Sequence, residues 1–112
     1  MVELIAIVRR NRTVATQQEL ARIGCQGYSR FAVLGRGRQR GLRGDDAARN
    51  FPFLPKVLFS IVVEEDAAQE TIEALIRANQ TGEFGDGKIF VLESDEAYRI
   101  STGERETAVM AA

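Results

Sequence analysis

The chain is 112 residues long, 45% hydrophobic and 28% charged, with a formal net charge of −1. That is room for one domain around one core, and the near-neutral balance gives no bulk attraction to nucleic acid or to a membrane surface. With one cysteine and no histidine, an intrachain disulfide is impossible, and zinc centres and Ser-His or Cys-His catalysis lose their usual ligand or base.

Residues 2–8 are apolar at almost every position and rich in β-branched side chains, which predicts a strand covered on both faces or nearly so. The apolar run is far too short to span a bilayer and no secretory leader precedes it, so a cytoplasmic location is expected. Residues 13–23 carry mostly helix formers, with Val14, Gln17, Leu20 and Ala21 near helical spacing and Gly24 as a stop. Residues 28–34 predict a second strand, which runs into Gly35-Arg36-Gly37-Arg38-Gln39-Arg40-Gly41. There Arg30, Arg36, Arg38, Arg40, Arg43 and Arg49 stand against only Asp45 and Asp46, a basic stretch suited to phosphate, a carboxylate metabolite or an acidic partner.

The second half repeats the order. Residues 56–63 predict a third strand, and Asp66-Ala67-Ala68-Gln69 has the spacing of a capping box. Ala68, Ile72, Leu75, Ile76 and Asn79 trace the apolar stripe of the helix that follows. Residues 81–87 form a glycine-bearing loop, and residues 88–92 a fourth strand. Strand–helix–strand twice over predicts an α+β, ferredoxin-like βαββαβ sandwich: a four-stranded antiparallel sheet with both helices on one face. The other face then needs a cover, and oligomerisation supplies one.

Glycines at 82, 85 and 87 permit unusual backbone angles and the close approach of N–H groups to an anion. Lys88 adds a mobile positive charge, and Arg99 a planar fork for phosphate oxygens. The Gly85–Lys88 string is not a Walker A motif, because the spacing is wrong and a strand follows it. Asp86 in such a loop is ordinarily a turn former.

Three segments in this order, Gly35 to Gly41, Leu54-Pro55-Lys56 and Thr81-Gly82-Glu83-Phe84-Gly85-Asp86-Gly87-Lys88-Ile89-Phe90-Val91, followed by Arg99-Ile100-Ser101-Thr102-Gly103-Glu104-Arg105, resemble the PII nitrogen-regulatory family. The resemblance starts at Ile5-Ala6-Ile7-Val8-Arg9 and covers essentially the whole chain, so that residues 1–112 form a single PII-like domain with a flexible loop at about 39–53 and a tail from about 104. It implies a homotrimer of ferredoxin-like subunits with ATP or ADP in clefts between neighbours. It further implies that Ile7, Ser29, Gly35, Gly37, Arg38 and Val62 surround the base or adjoining parts of the nucleotide. Gly85, Asp86, Gly87, Lys88 and Arg99 would reach its ribose and phosphates, while Gln39 and Lys56 match positions that hold magnesium (through the nucleotide) and 2-oxoglutarate. No cofactor is required beyond such ligands.

Two departures bear on ligand and target. Ser101 stands where the family usually has a second arginine, which favours ADP or AMP over ATP. The loop at 39–53 is about two residues shorter than in common members and holds no tyrosine for uridylylation. That loop selects the target in the family. Its length and the surroundings of Ile76–Gly82 look similar to the nitrogenase switch-off branch, with ammonium-transporter regulators the nearest competitor. The expected function is a non-enzymatic signal-transduction protein acting on a nitrogen-metabolism target through its loop. The alternatives are a PII-like regulator of carbon or bicarbonate metabolism sensing ADP or AMP, a slow ATPase using Asp86, Glu64 or Glu93 as base, and a ferredoxin-like RNA-binding module. The last lacks the aromatic-rich strands of an RNA-recognition sheet.

Overall fold

In the computed structural model, which describes residues 1–36 and 53–106, the chain is a ferredoxin-like α+β sandwich. Strand β1 (Val2–Arg9) leads through a short 3-10 turn into helix α1 (Thr13–Arg22), and strands β2 (Ser29–Gly35) and β3 (Leu54–Val63) follow. Helix α2 (Glu65–Asn79), strand β4 (Gly87–Glu93) and a two-stranded hairpin of β5 (Ala97–Tyr98) and β6 (Arg105–Glu106) complete it. The sheet order is β2-β3-β1-β4 with every pair antiparallel. Gly37, Arg38 and Gln39, most of the loop expected at 39–53, and the tail beyond residue 106 lie outside the described residues.

The two helices cover one face of the sheet. Val2, Leu4, Ala6 and Val8 of β1 and Val57, Phe59 and Ile61 of β3 point into that layer and meet Leu20 and Leu75. Tyr28 tilts against Phe59 with ring centroids 5.6 Å apart. Within one protomer the alternating residues of β1 are only half-buried, so the second cover expected for this strand is not supplied by the chain itself. Strand alternation puts Phe31, Val62, Phe90 and Leu92 on the opposite face, where all four are exposed. This is the uncovered apolar face that the strand–helix order requires.

Helix α1 turns inward a different stripe from the one its apolar residues suggest, whereas α2 keeps most of its own, with Ala68 and Ile72 packed against the core beside buried Leu75 and Asn79. Helix α1 buries Thr13, Thr16 and Leu20 while Val14 lies exposed. Helix α2 buries Thr71, Ala74, Leu75, Ala78 and Asn79 and leaves Ile76 outside. Small residues let the helices approach closely, and the threonines satisfy their hydroxyls locally: Thr16 Oγ1 donates to the Arg12 carbonyl and Thr71 Oγ1 to that of Ala67. Asn79 Nδ2 then bridges to Thr16 Oγ1 at 3.0 Å. Hydrophobicity alone carries no information about that route to burial. The expected capping box also fails, because α2 begins at Glu65 with Glu64 as a cap that makes no side-chain bond. Glu65 and Asp66 instead occupy the first turn, where carboxylates favour the positive end of the helix.

Candidate functional site

The ends of four strands converge at one edge of the domain. In register, Arg9 pairs with Lys56, Ile7 with Lys88, Val8 with Gly87 and Gly35 with Leu54. Ile7, Gly35, Lys56, Gly85, Asp86, Gly87 and Lys88, far apart in sequence, are thereby brought to a single sheet end. Across the gap of undescribed residues, Arg36 lies over the ring of Phe53 at 5.8 Å, so the two chain ends beside that gap are held together.

The glycine loop owes its shape to its own carboxylate. Asp86 Oδ2 accepts from the amides of Thr81 at 2.7 Å and Gly82 at 2.8 Å, and its Oδ1 accepts from the Thr81 hydroxyl. Chiefly through the Thr81 hydroxyl, and further through the two amides and the nearby Arg9 charge, the Asp86 carboxyl is held below the usual carboxylate range. Gly87 is fixed by sterics. Its φ is +120°, and a Cβ there would stand 2.1 Å from the Ile7 carbonyl oxygen, so only glycine lets β4 start against β1.

Cations gather on the same loop. Arg9 donates through Nε to the Gly85 carbonyl at 2.9 Å and through Nη2 to that of Phe84 at 2.6 Å, and its guanidinium stands 3.3 Å from Asp86. Lys56, 9% exposed, donates from Nζ to the same Gly85 carbonyl at 3.1 Å. A Cβ on Gly35 would come within 3.0 Å of the Lys56 Cγ, so Gly35 makes the space in which the lysine stem lies. Lys88 reaches over the Phe90 ring on the open face, 6.0 Å from its centroid.

Burial, with the Arg9 charge beside it, pushes the Lys56 amine below its usual pKa, and Asp86 only partly opposes this. Between that lowered value and the ordinary 10.5, the unfolded chain binds more protons than the folded one. Stability therefore rises with pH across this window, and the charged amine is a net cost at neutral pH. Lys56→Met should leave stability at pH 7 equal to wild type or higher by up to about 1 kcal/mol. It should also remove the alkaline rise, as read by urea unfolding at pH 7 and pH 10. An amine so placed gains most from a bound anion, which returns to it the counter-charge that burial removed.

Other expected residues stand apart within one protomer. Ser29 pairs with Ser60, in the row of Ile5, and Val62 pairs with Glu3. They lie on the open face, about 7 Å and about 13 Å along the strands from Ile7. Arg99 belongs to the β5–β6 hairpin, where its guanidinium pairs with Glu106 at 2.8 Å. Sequence reasoning gave no role to Arg9 or Thr81. The Thr81 latch had a local signal, a Thr-Gly pair a few residues ahead of an aspartate in a glycine loop. Arg9 had none short of the strand register that sets it beside Lys56. Among the described residues no group of three acidic or cysteine side chains is arranged to hold a metal ion, and no helix is long and apolar enough to cross a membrane.

Comparison with known proteins identifies the family. A family model described as "Nitrogen regulatory protein P-II" matches residues 1–104. A GlnB-like protein of the nitrogen fixation nifHD1 region of Methanosarcina barkeri is 38% identical, over 94% of this chain and 95% of its own. The nitrogen regulatory protein P-II of Rhodospirillum rubrum is 40% identical, over 94% of this chain and 96% of its own. A crystal structure of Arabidopsis thaliana PII bound to citrate superposes with a TM-score of 0.77 at 35% identity, covering 94% of this chain and 87% of that one. From its sheet order to its glycine loop, the chain belongs to the nitrogen regulatory protein P-II family.

Proposed function

We propose that the protein is a cytoplasmic, homotrimeric and non-catalytic sensor that binds ATP or ADP at the glycine-loop end of its sheet and regulates a nitrogen-metabolism target. The observation that carries this reading is the convergence of Arg9, Lys56 and Lys88 on a glycine-built loop. A carboxylate latches that loop internally, which leaves cations to meet a polyanion. In this reading Gly85, Asp86, Gly87 and Lys88 form the phosphate and ribose side of the site, and Ile7 and Gly35 the side toward the base, together with Gly37 and Arg38. Ser29, Val62 and Arg99 are offered by a neighbouring copy. Their distance along the open apolar face from Ile7 supports a cleft shared between two protomers rather than a pocket within one.

Lys56 and Gln39 are assigned to 2-oxoglutarate, with magnesium carried in on the nucleotide and touching Gln39. Magnesium usually keeps several waters and binds through phosphates, so no protein cage is needed. The citrate named in the Arabidopsis relative, a polycarboxylate, supports an oxyanion site in this fold. The nitrogen-fixation regions named for several archaeal relatives support a target in nitrogen fixation, contacted through the segment at about 39–53. Ligand would act by binding the target-competent and target-incompetent states of the protein unequally.

The test is calorimetry with ATP, ADP and AMP, each with and without magnesium and 2-oxoglutarate, alongside measurement of mass in solution. Binding of at least one nucleotide to a trimer is expected, with ADP no weaker than ATP because Ser101 replaces a cation. A monomer inert to millimolar nucleotide contradicts the reading.

A further inference from the structure

We infer that Arg9 is the residue that positions the Thr81–Gly87 loop, and that it does so in order that Lys56 can leave the loop for an incoming anion without the loop losing its shape. The inference rests on the nucleotide reading for its purpose but not for its geometry. The Gly85 carbonyl accepts from two cations at once, Arg9 Nε at 2.9 Å and Lys56 Nζ at 3.1 Å, which a carbonyl with two lone pairs can do. The two donors are not equivalent. Arg9 also takes the Phe84 carbonyl at 2.6 Å and stands 3.3 Å from Asp86, so its planar fork spans three consecutive residues of the loop. Lys56 contributes one bond, to a carbonyl that Arg9 already satisfies.

Withdrawing Lys56 toward a bound carboxylate or phosphate therefore leaves Gly85 paired, whereas withdrawing Arg9 frees Phe84 and exposes Asp86 to its own loop alone. Arg9 stands at the last position of β1, paired in register with Lys56. The loop is thus anchored to the central strand of the sheet and not to the ligand-binding side chain. Arg9 is accordingly a positioning residue. It adds charge to the site while its Nε and Nη2 groups hold two loop carbonyls and the Asp86 carboxylate.

The experiment is amide hydrogen exchange on the ligand-free full chain, read at Thr81 and Gly82, whose N–H groups the Asp86 carboxylate holds. Arg9→Met should speed exchange there about tenfold, the equivalent of one lost charge-assisted hydrogen bond. Arg9→Lys should restore part of the protection, since an ammonium can serve one carbonyl but not the fork. Lys56→Met should change it by less than about threefold. Wild-type exchange in Arg9→Met, or equal loosening by Lys56→Met, overturns the assignment. If Arg9→Met does not fold, the intermediate rate expected of Arg9→Lys carries the test, and wild-type rates in that variant overturn it.

ADP titration then separates this proposal from the function it serves. A wild type that binds no ADP removes the nucleotide reading and leaves the exchange result standing. Equal ADP affinity in wild type and Arg9→Met overturns the positioning role alone.

Discussion

Gly87→Ala is expected to cost on the order of 3 kcal/mol or more in unfolding free energy and to abolish ligand binding. The added methyl carbon would lie 2.1 Å from the Ile7 carbonyl oxygen and 3.2 Å from both the Ile7 carbonyl carbon and the Val8 Cα. All three neighbours are backbone of the central strand, so no rotamer change relieves the clash, and the residue must also hold a φ of +120°. Either β4 separates from β1 at its first pair or the loop is recast. Gly82→Ala is the internal control. Gly82 also has a positive φ, at +87°, but a Cβ there meets nothing within 4 Å, so only the conformational cost of about 1–2 kcal/mol is expected. Urea unfolding of the two variants should separate them clearly. Equal losses would mean that the close approach of Gly87 to Ile7 does not govern the site.

Lys88→Ala should have the opposite profile. The side chain is exposed and its visible partner is the Phe90 ring at 6.0 Å, an arrangement contributing about 0.5 kcal/mol at such a position. Stability should therefore stay within about 0.5 kcal/mol of wild type. Nucleotide affinity, by contrast, should fall by about ten- to a hundredfold, the range for one charge-assisted hydrogen bond to phosphate. The salt dependence of binding should weaken with it, because one cation fewer is screened. Unchanged calorimetric affinity with unchanged salt dependence would remove Lys88 from the site.

The strand–helix order was legible because β1 and β3 are dense in β-branched residues and the glycines at 24, 82, 85 and 87 punctuate the elements. The inward face of α1 was not legible, and that of α2 only in part, through Ala68, Ile72, Leu75 and Asn79. Thr13, Thr16 and Thr71 are buried by bonding to their own backbone, a route to burial that leaves no mark in apolar spacing. The helix start at Glu65 was missed for a related reason, since the carboxylates of the first turn act by charge and not by a cap bond. The short β5–β6 hairpin gave no strand signal at two residues a side.

At the site, glycine and lysine types pointed to an anion loop before any register was known. What the sequence could not supply was the pairing of Arg9 with Lys56, because it exists only once β1 and β3 lie antiparallel. The shared hold on the Gly85 carbonyl depends on that pairing. Resemblance to the family pointed to the residues proposed to face a ligand. Thr81 and Arg9, which shape the loop from behind, came only from the structure.

Whether nucleotide binds at the glycine loop is read most directly by an ADP titration followed residue by residue through amide chemical shifts of the isotope-labelled protein. The largest changes are expected on Gly85, Gly87 and Lys88 and on Ile7 beside them, saturating together at one affinity. Saturable changes confined to the β5–β6 hairpin or the outer faces of the helices, with the glycine loop silent, would contradict binding there.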